Sequence, residues 1–177
     1  NERRAALKAV EKVGGFPVMS EFTIEAQSTD SLTTCLNKVK ESDIYVLILG
    51  GRYGWQPEDK ESITELEYKT AIDSKLPILV FNTIYPKEPL QKLFEGKVEN
   101  SYFRKTVQDV FELQEEMEKS LKQEIEKKQQ ELFHKTEPVY SNLVKIQFPT
   151  HIYVADLDID KKAVKEFNKG RRRTFYK

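Results

Sequence analysis

The segment from residue 43 to residue 71 constrains the fold of this chain more than any other. Six apolar residues, Ile44 to Leu49, run into a glycine-rich turn, and a helix opens at Ser62. A continuous apolar run of this length is typical of a strand that is buried on both faces of a parallel sheet. In such sheets ligands bind beyond the carboxyl ends of the strands, where glycines let the backbone approach and helix amino termini face the ligand. The turn is therefore the first place to expect a site.

Helical and strand patterns alternate through the first half of the chain. The predicted elements are helix 1–13, strand 16–19, helix 31–40, strand 44–49, a helix from residue 62 and strand 76–81. Alternation with short connections predicts an α/β fold, a parallel sheet with flanking helices and right-handed crossovers. Because the chain starts inside a helix, we expect a first strand of the sheet to be absent from these residues.

The second half predicts a different organisation. We expect a loop over 82–103, a long helix over 104–133, a strand over 152–157 and a helix over 160–168. The long helix carries apolar residues every three or four positions, which is typical of a helix packed on its own domain or of one seam of a helical pair, and less so of a partner-binding helix. The predicted division is an α/β domain over 1–102, a long helical segment over 103–137, and either the start of a carboxyl-terminal domain or a linker over 138–177.

Composition excludes several classes of function. The 29 basic and 29 acidic residues among 177 cancel, so bulk charge gives no indication of nucleic-acid binding. Cys35 is the only cysteine, and His134 and His151 are isolated, so neither a disulfide nor a metal site is predicted. No stretch approaches the length of about 20 apolar residues that a membrane span needs. A cytoplasmic location is the expectation.

Helical phase singles out Glu67. At about 100° per residue from Ile63, Glu67 lies near 40°, inside the apolar stripe, whereas Glu65 lies near 200°, on the opposite face. Ser62 and Glu65 have the spacing of a capping box, in which each side chain satisfies a backbone donor at the helix start. Glu65 then has a structural role and Glu67 does not. A carboxylate that faces the sheet must find a partner, take up a proton or point into a cavity. Glu67 is therefore either a functional acid or a residue at the edge of the stripe that pairs with Arg52 or a lysine.

The turn after the apolar strand has the composition of a nucleotide site. Its glycines would allow close approach, Arg52 would bind a phosphate or carboxylate, and Tyr53 and Trp55 offer stacking surfaces. The alternative is a plain turn whose aromatic residues cover the end of the sheet. The predicted substrate-binding residues are Gly50, Gly51, Arg52, Tyr53 and Trp55. The chain has no GxxxxGK[ST] phosphate loop and no evident serine–histidine–acid arrangement.

Several motifs lie within residues 1–82. They are Glu2-Arg3, Gly15 with Pro17-Val18-Met19 and Phe22, Ser42 to Ile48, Gly50 to Gly54, Ser62 to Tyr68, Ala71, and Pro77 to Phe81. Together these motifs resemble the family known as domain of unknown function 4062. The resemblance implies a flavodoxin-like fold similar to Toll/interleukin-1 receptor (TIR) domains and nucleoside deoxyribosyltransferases. It also implies a place in larger defence or signalling proteins.

The same resemblance implies an activity and an acid that performs it. In TIR domains that cleave NAD, a glutamate followed four residues later by alanine acts at the N-glycosidic bond, and Glu67 and Ala71 match that pattern. NAD or a related nucleotide would then be a substrate and no cofactor is implied; Arg52 would hold the diphosphate, and Trp55 or Tyr53 would stack on a ring. The alternatives are a non-catalytic module that assembles with its own copies or recruits a partner, and an adaptor that only positions a neighbouring domain.

The chain departs from the family pattern before the second helix. Where the family commonly has Met-Glu, this chain has Met19-Ser20, and an acid, Glu21, follows one place later. A shift of one residue turns a strand side chain to the opposite face, so Glu21 would not replace an acid at the position of Ser20. Glu21 and Glu65 are secondary candidates for the acid of the site.

Overall fold

A five-stranded parallel sheet, with helices on both faces, forms the part of the chain that the computed structural model describes, residues 1–19, 30–57, 61–135 and 149–156. The helices are α1 (Glu2–Lys12), α2 (Ser31–Lys40), α3 (Ile63–Asp73), α4 (Pro89–Glu99) and α5 (Val110–Lys135). The strands are β1 (Phe16–Val18), β2 (Ile44–Leu49), β3 (Ile78–Thr83), β4 (Arg104–Val107) and β5 (His151–Asp156). The strand order is β1-β5-β2-β3-β4. The prediction of a parallel α/β sheet is confirmed.

β2 shows why a continuous apolar run was needed. All six of its residues are buried, because alternate side chains enter the cores on opposite faces of the sheet. Ile44, Val46 and Ile48 pack with residues of α1 and α5. Tyr45, Leu47 and Leu49 pack with residues of α2, α3 and α4. The first four predicted elements and the start of α3 lie within two residues of their observed bounds, and β3 lies two residues later than predicted.

The prediction of a loop over 82–103 is wrong, because α4 lies within it. Pro89 occupies the first turn, where a missing N–H costs no helical hydrogen bond. Gly96 faces open space, since a Cβ built there would meet nothing within 4 Å. Phe94 and Val98 are buried against β2 and β3 in the core that α2 and α3 share. Proline and glycine therefore hid a helix whose stability comes from packing.

The predicted helix over 104–133 is also corrected at its start. Arg104–Val107 forms the edge strand β4, which pairs in parallel with β3. α5 begins only at Val110, and the Asp109 carboxylate accepts hydrogen bonds from the N–H groups of Phe111 and Glu112. This capping separates a strand from a helix within one apparently helical pattern.

β5 confirms the strand predicted near Ile152, but its assignment to a separate domain is wrong. The strand lies between β1 and β2 and pairs in parallel with both. Ile152 and Val154 enter one core, and Tyr153 and Ala155 enter the other. The sheet therefore extends beyond 1–102 and includes β4 and β5. Sequence distance concealed this, because strand pairing joins residues more than 100 positions apart. The helix predicted over 160–168 lies outside the described residues.

Asp43 attaches the start of β5 to the rest of the fold. Its backbone N–H donates to the His151 carbonyl at 2.8 Å, and its Oδ2 accepts from the His151 N–H at 2.9 Å. Its Oδ1 accepts from Lys128 Nζ of α5 at 2.5 Å. These contacts lower the pKa of the Asp43 carboxyl against the opposing effect of burial. One carboxylate thus joins β2, β5 and α5.

Among the helices in the described ranges, none combines the length and the apolar character that crossing a bilayer would require.

Candidate functional site

The amino terminus of α3 is capped as predicted, but only by half of the capping box. Ser62 Oγ accepts from the Glu65 N–H at 3.2 Å. The reciprocal bond is made by a different group, because the Ser62 N–H donates to the hydroxyl of Tyr53 at 3.4 Å. The Glu65 side chain is consequently engaged elsewhere, and the predicted capping box is corrected on this point.

Glu65 is buried, although its helical phase predicted a place away from the core. Its Oε2 accepts from the Tyr53 hydroxyl at 2.5 Å and its Oε1 from Lys97 Nζ at 2.6 Å. The side chain is 2% exposed. Lys97 belongs to α4, the helix that the sequence pattern did not reveal, and α4 covers this side of α3. Glu65 is therefore a structural carboxylate that joins the glycine-rich turn to two helices.

Two positions of the turn require glycine, one because of close packing and the other because of its backbone angle. A Cβ on Gly51 would lie 2.7 Å from the Pro86 carbonyl oxygen, and the Gly51 carbonyl accepts from the Glu88 N–H at 2.8 Å. Gly54 has a φ of +86°, in the left-handed region that favours glycine. The turn thus packs closely on the loop that precedes α4.

Lys87 binds the carboxyl ends of β2 and β3 together. Its Nζ donates to the carbonyls of Leu49, Gly50 and Thr83 at 2.9, 3.2 and 3.3 Å. Gln91 adds a bond to the Gly50 carbonyl at 3.1 Å. Burial lowers the pKa of the Lys87 ammonium. The Gly50 carbonyl oxygen therefore accepts hydrogen bonds from the side chains of Lys87 and Gln91.

The remaining predicted ligand residues of the turn differ in exposure. Arg52 is exposed and Trp55 is half-buried, with its carbonyl accepting from the Ile63 N–H at 3.1 Å. Tyr53 is buried, and its hydroxyl is committed to Glu65, so its ring does not offer the open stacking surface that was predicted.

Glu67 lies in a separate polar cluster between α3 and the sheet. The residue is only 4% exposed, and its Oε1 accepts from the Tyr153 hydroxyl of β5 at 2.5 Å. The Cys35 thiol of α2 and the positive charge of Arg3 of α1 both act to lower the pKa of Glu67. The alternative in which Glu67 pairs with Arg52 or a lysine at the stripe's edge is not what this geometry shows. We call Glu67, Tyr153, Cys35 and Arg3 the inner cluster.

Burial and the neighbouring groups have opposite effects on the pKa of Glu67, and the effect of burial is the larger. Desolvation raises the pKa of Glu67 to about 7, against lowering contributions from Tyr153, Arg3 and Cys35. The same burial, together with the Glu67 charge, raises the pKa of the Cys35 thiol to about 11. A thiol with that pKa is protonated at neutral pH, so Cys35 acts as a donor and not as a nucleophile.

Tyr45 and Tyr153 form a stacked pair beneath Glu67. Their rings are 5.8 Å apart with an interplanar angle of 9°, and the two residues are register partners on β2 and β5. Their hydroxyls differ. That of Tyr153 donates to Glu67, whereas within the described ranges the buried Tyr45 hydroxyl has no hydrogen-bond partner.

The apolar phase of α3 correctly predicted that Glu67 faces the core, but it gave no indication of the residues that surround Glu67. Tyr153 is 86 positions from Glu67 and was assigned to another domain. Cys35 lies on the predicted apolar face of α2, where a thiol passes as an ordinary small apolar residue. Arg3 belongs to a motif that carried the family resemblance, and that was the one signal available for it. Glu21 lies outside the described residues.

A metal site is not formed by the described residues, which contain no cluster of three or more histidine, cysteine, aspartate or glutamate side chains suited to hold an ion. His151 instead stacks on Phe16, with ring centroids 5.6 Å apart, and its Nδ1 lies 3.8 Å from Asp43.

Comparison with known proteins identifies a family for this chain but no individual protein that matches it. Neither the curated proteins nor the solved structures include a match to this chain. The profile of one family, described as "Domain of unknown function (DUF4062)", matches residues 1–145, a range that contains α1 to α5, β1 to β4 and three of the four residues of the inner cluster. The chain is therefore a member of the DUF4062 family.

Proposed function

We propose that this chain is a TIR-like effector or signalling domain that hydrolyses the N-glycosidic bond of NAD or a related nucleotide, with Glu67 as the acting carboxylate. The observation that carries the proposal is the burial of Glu67 with a tyrosine hydroxyl, a thiol and an arginine around it, and with a pKa raised to about 7. Buried carboxylates of this kind are costly, and they occur preferentially at functional sites.

The chemistry requires the ionised form of Glu67. As the bond between the ribose C1′ and the pyridinium nitrogen breaks, its electron pair moves to the nitrogen, neutral nicotinamide leaves and positive charge develops on the ribose. A carboxylate beside the ribose binds its hydroxyls and stabilises that charge, and water then adds to C1′ with loss of a proton. A pKa of about 7 leaves a substantial ionised fraction at neutral pH, and the low dielectric of the cluster strengthens its electrostatic effect.

The glycine-rich turn would contribute binding rather than chemistry. The exposed Arg52 is the residue we assign to the diphosphate, and the half-buried Trp55 is the ring we assign to stacking. Tyr53 is removed from this role by its bond to Glu65. Gly50 and Gly51 would hold the turn in place through their bonds to the α4 side of the fold.

The test is nicotinamide release from NAD by the purified full-length protein, measured by chromatography. The variants Glu67→Gln, Glu65→Gln and Glu115→Gln are measured beside the wild type. Glu67→Gln should reduce the rate at least about a hundredfold, because an amide cannot stabilise the developing charge. Glu115→Gln, on the exposed face of α5, should retain the wild-type rate. Release that survives Glu67→Gln would refute the assignment.

The Glu65→Gln variant tests which of the two buried glutamates of α3 is catalytic. Both carboxylates accept from a tyrosine hydroxyl, so the substitutions are chemically alike. If Glu65 is structural, its variant should keep the catalytic rate per folded molecule while losing stability. Loss of turnover only in Glu65→Gln would transfer the catalytic role to Glu65.

Self-assembly is the competing function, and one observation favours it. The side chain of Phe103 is 97% exposed just before β4, and that of Phe111 is 80% exposed just after it. β4 is an edge strand, whose unpaired backbone groups are a template for a second copy of the chain. Sedimentation of wild type beside Phe103→Ser and Phe111→Ser tests this. A dimer that both substitutions dissociate, together with absent NAD turnover, would favour assembly.

A further inference from the structure

We propose that Tyr153 is the positioning residue of the site, holding the Glu67 carboxylate in place from β5, so that the site is complete only when β5 lies between β1 and β2. The inference rests on the proposed function for its catalytic meaning. Its structural part concerns one hydrogen bond and can be tested without substrate.

Geometry makes Tyr153 the strongest restraint on the Glu67 carboxylate. The Tyr153 hydroxyl donates a hydrogen bond to Oε1 of Glu67 at 2.5 Å. The ring cannot readily turn away, because it is buried, stacks on Tyr45 and is carried by a strand that is paired on both sides. Directional donation from a rigid element is what holds a catalytic group in its productive geometry.

The titratable and charged groups that interact electrostatically with Glu67 come from four elements. Arg3 comes from α1, Cys35 from α2, Tyr45 from β2 and Tyr153 from β5. Arg3 acts on Glu67 through its charge, and the Cys35 thiol is a weak donor. The pKa of each tyrosine is raised well above its ordinary value, so both remain protonated donors over the physiological range. Among these groups, Tyr153 is the only oxygen donor that the structure bonds to Glu67.

Tyr45 provides a matched control that few sites offer. Tyr45→Phe and Tyr153→Phe each remove one hydroxyl from the same stacked pair, in the same buried layer. Only the second removes a hydrogen bond to Glu67. Any effect common to both variants reflects packing, and any effect confined to Tyr153→Phe reflects the bond.

The experiment measures the pKa of Glu67 in the full chain, without substrate, from the side-chain carboxyl carbon resonance of ¹³C-labelled glutamate. Tyr153→Phe should raise that pKa by about one unit or more, since a hydrogen bond to a charged group favours ionisation by roughly this amount. Tyr45→Phe should change it by less than about half as much. Equal pKa values in wild type and Tyr153→Phe would overturn the proposal.

A second substitution keeps the test decisive if Tyr153→Phe does not fold. 3-Fluorotyrosine at position 153 preserves the ring and makes the hydroxyl a stronger donor, so the Glu67 pKa should fall instead of rising. The ¹⁹F resonance should titrate with the same midpoint, and that transition should vanish in Glu67→Gln. A fluorine resonance insensitive to Glu67 would refute the contact.

Turnover then separates positioning from the proposed function. If NAD is cleaved, the ascending limb of the pH–rate profile should move to higher pH in Tyr153→Phe by the measured pKa shift, and should stay in place in Tyr45→Phe. If Tyr153→Phe shifts the pKa of Glu67 but neither the wild type nor any variant cleaves NAD, the proposed function fails. Tyr153 then has no catalytic role. If NAD is cleaved with an unshifted profile, only the positioning role of Tyr153 fails.

Discussion

Glu65 and Glu67 show how two acids of the same helix acquire different roles from their neighbours. Glu65 is held by Lys97 and the Tyr53 hydroxyl. Glu67 is held by the Tyr153 hydroxyl and sits within reach of the Arg3 charge without an ion-pair partner in the described contacts. At Glu67 the effect of burial exceeds the effects of these neighbours and raises the pKa. Position in the helix sets neither outcome.

Glu65→Gln should destabilise the fold by about 1–3 kcal/mol, because the amide would present a donor toward the Lys97 ammonium and lose the charge that compensates it. Urea unfolding at pH 7 measures this change. The matched variant is Glu112→Gln, whose carboxylate accepts from the exposed Gln108 N–H and should matter less. Equal stability of wild type and Glu65→Gln would show that the buried network is unimportant.

Gly51→Ala should destabilise the protein by about 1–3 kcal/mol, because its Cβ would contact the Pro86 carbonyl oxygen, a backbone atom that cannot easily move. Gly96→Ala is the opposite case, since the added methyl in α4 meets open space and reduces the freedom of the unfolded chain. Gly96→Ala should stabilise by about 0.5–1 kcal/mol. Thermal unfolding of the two variants compares them, and a tolerated Gly51→Ala would contradict the close packing.

At the scale of elements, the fold depends on strands and helices that can be recognised only in the tertiary structure. α4 contains proline and glycine, β4 reads as the start of a helix, and β5 is far from its partners in sequence. α2 and β2 needed no such context. α2 has a helical apolar pattern and an amino-terminal cap at Asp30, and β2 is a short continuous apolar run. The site depends on both kinds of element, since Cys35 lies on α2 and Tyr153 on β5.

Lys128→Ala should loosen β5 without unfolding the sheet. The Lys128 ammonium pairs with Asp43, which holds the backbone at the start of β5, while the neighbouring Lys127 pairs with Glu124 within α5. Amide hydrogen exchange of residues 152–154 should accelerate about fivefold or more in Lys128→Ala, corresponding to about 1 kcal/mol of local stability. Lys127→Ala should leave that exchange unchanged. The same rates in both variants would show that Asp43 holds β5 without help from α5.

At the scale of the whole molecule, Glu67 makes stability depend on pH. Its pKa is about 7 in the folded protein and lies at the ordinary value of 4.5 when the chain is unfolded. Between these values the folded state binds more protons than the unfolded state, so the free energy of unfolding decreases as pH rises. The stabilisation is complete below pH 4.5 and is lost as pH passes through about 7.

Glu67→Gln should therefore stabilise the protein at pH 8, by on the order of 1–3 kcal/mol, because folding raises the pKa of Glu67 from 4.5 to about 7. The amide oxygen still accepts from Tyr153, and no charge remains to be desolvated. Urea unfolding at pH 5 and pH 8 measures the difference, with Glu115→Gln as the exposed control. A residue kept for function costs stability, so a stabilising substitution that abolishes turnover would support both assignments. Destabilisation at both pH values would make Glu67 structural.

The sequence by itself determined the α/β class, the buried strand β2, the cap of α3 and the inward position of Glu67, because each follows from a local apolar pattern or from hydrogen bonds over a few residues. Only the tertiary structure decided which side chains surround that acid. Tyr153, Cys35 and Arg3 come from three elements that chain connectivity keeps apart, and Glu65 is buried only because α4 packs over it. The physical reason is that burial and pairing depend on contacts distant in sequence, which a local pattern does not encode.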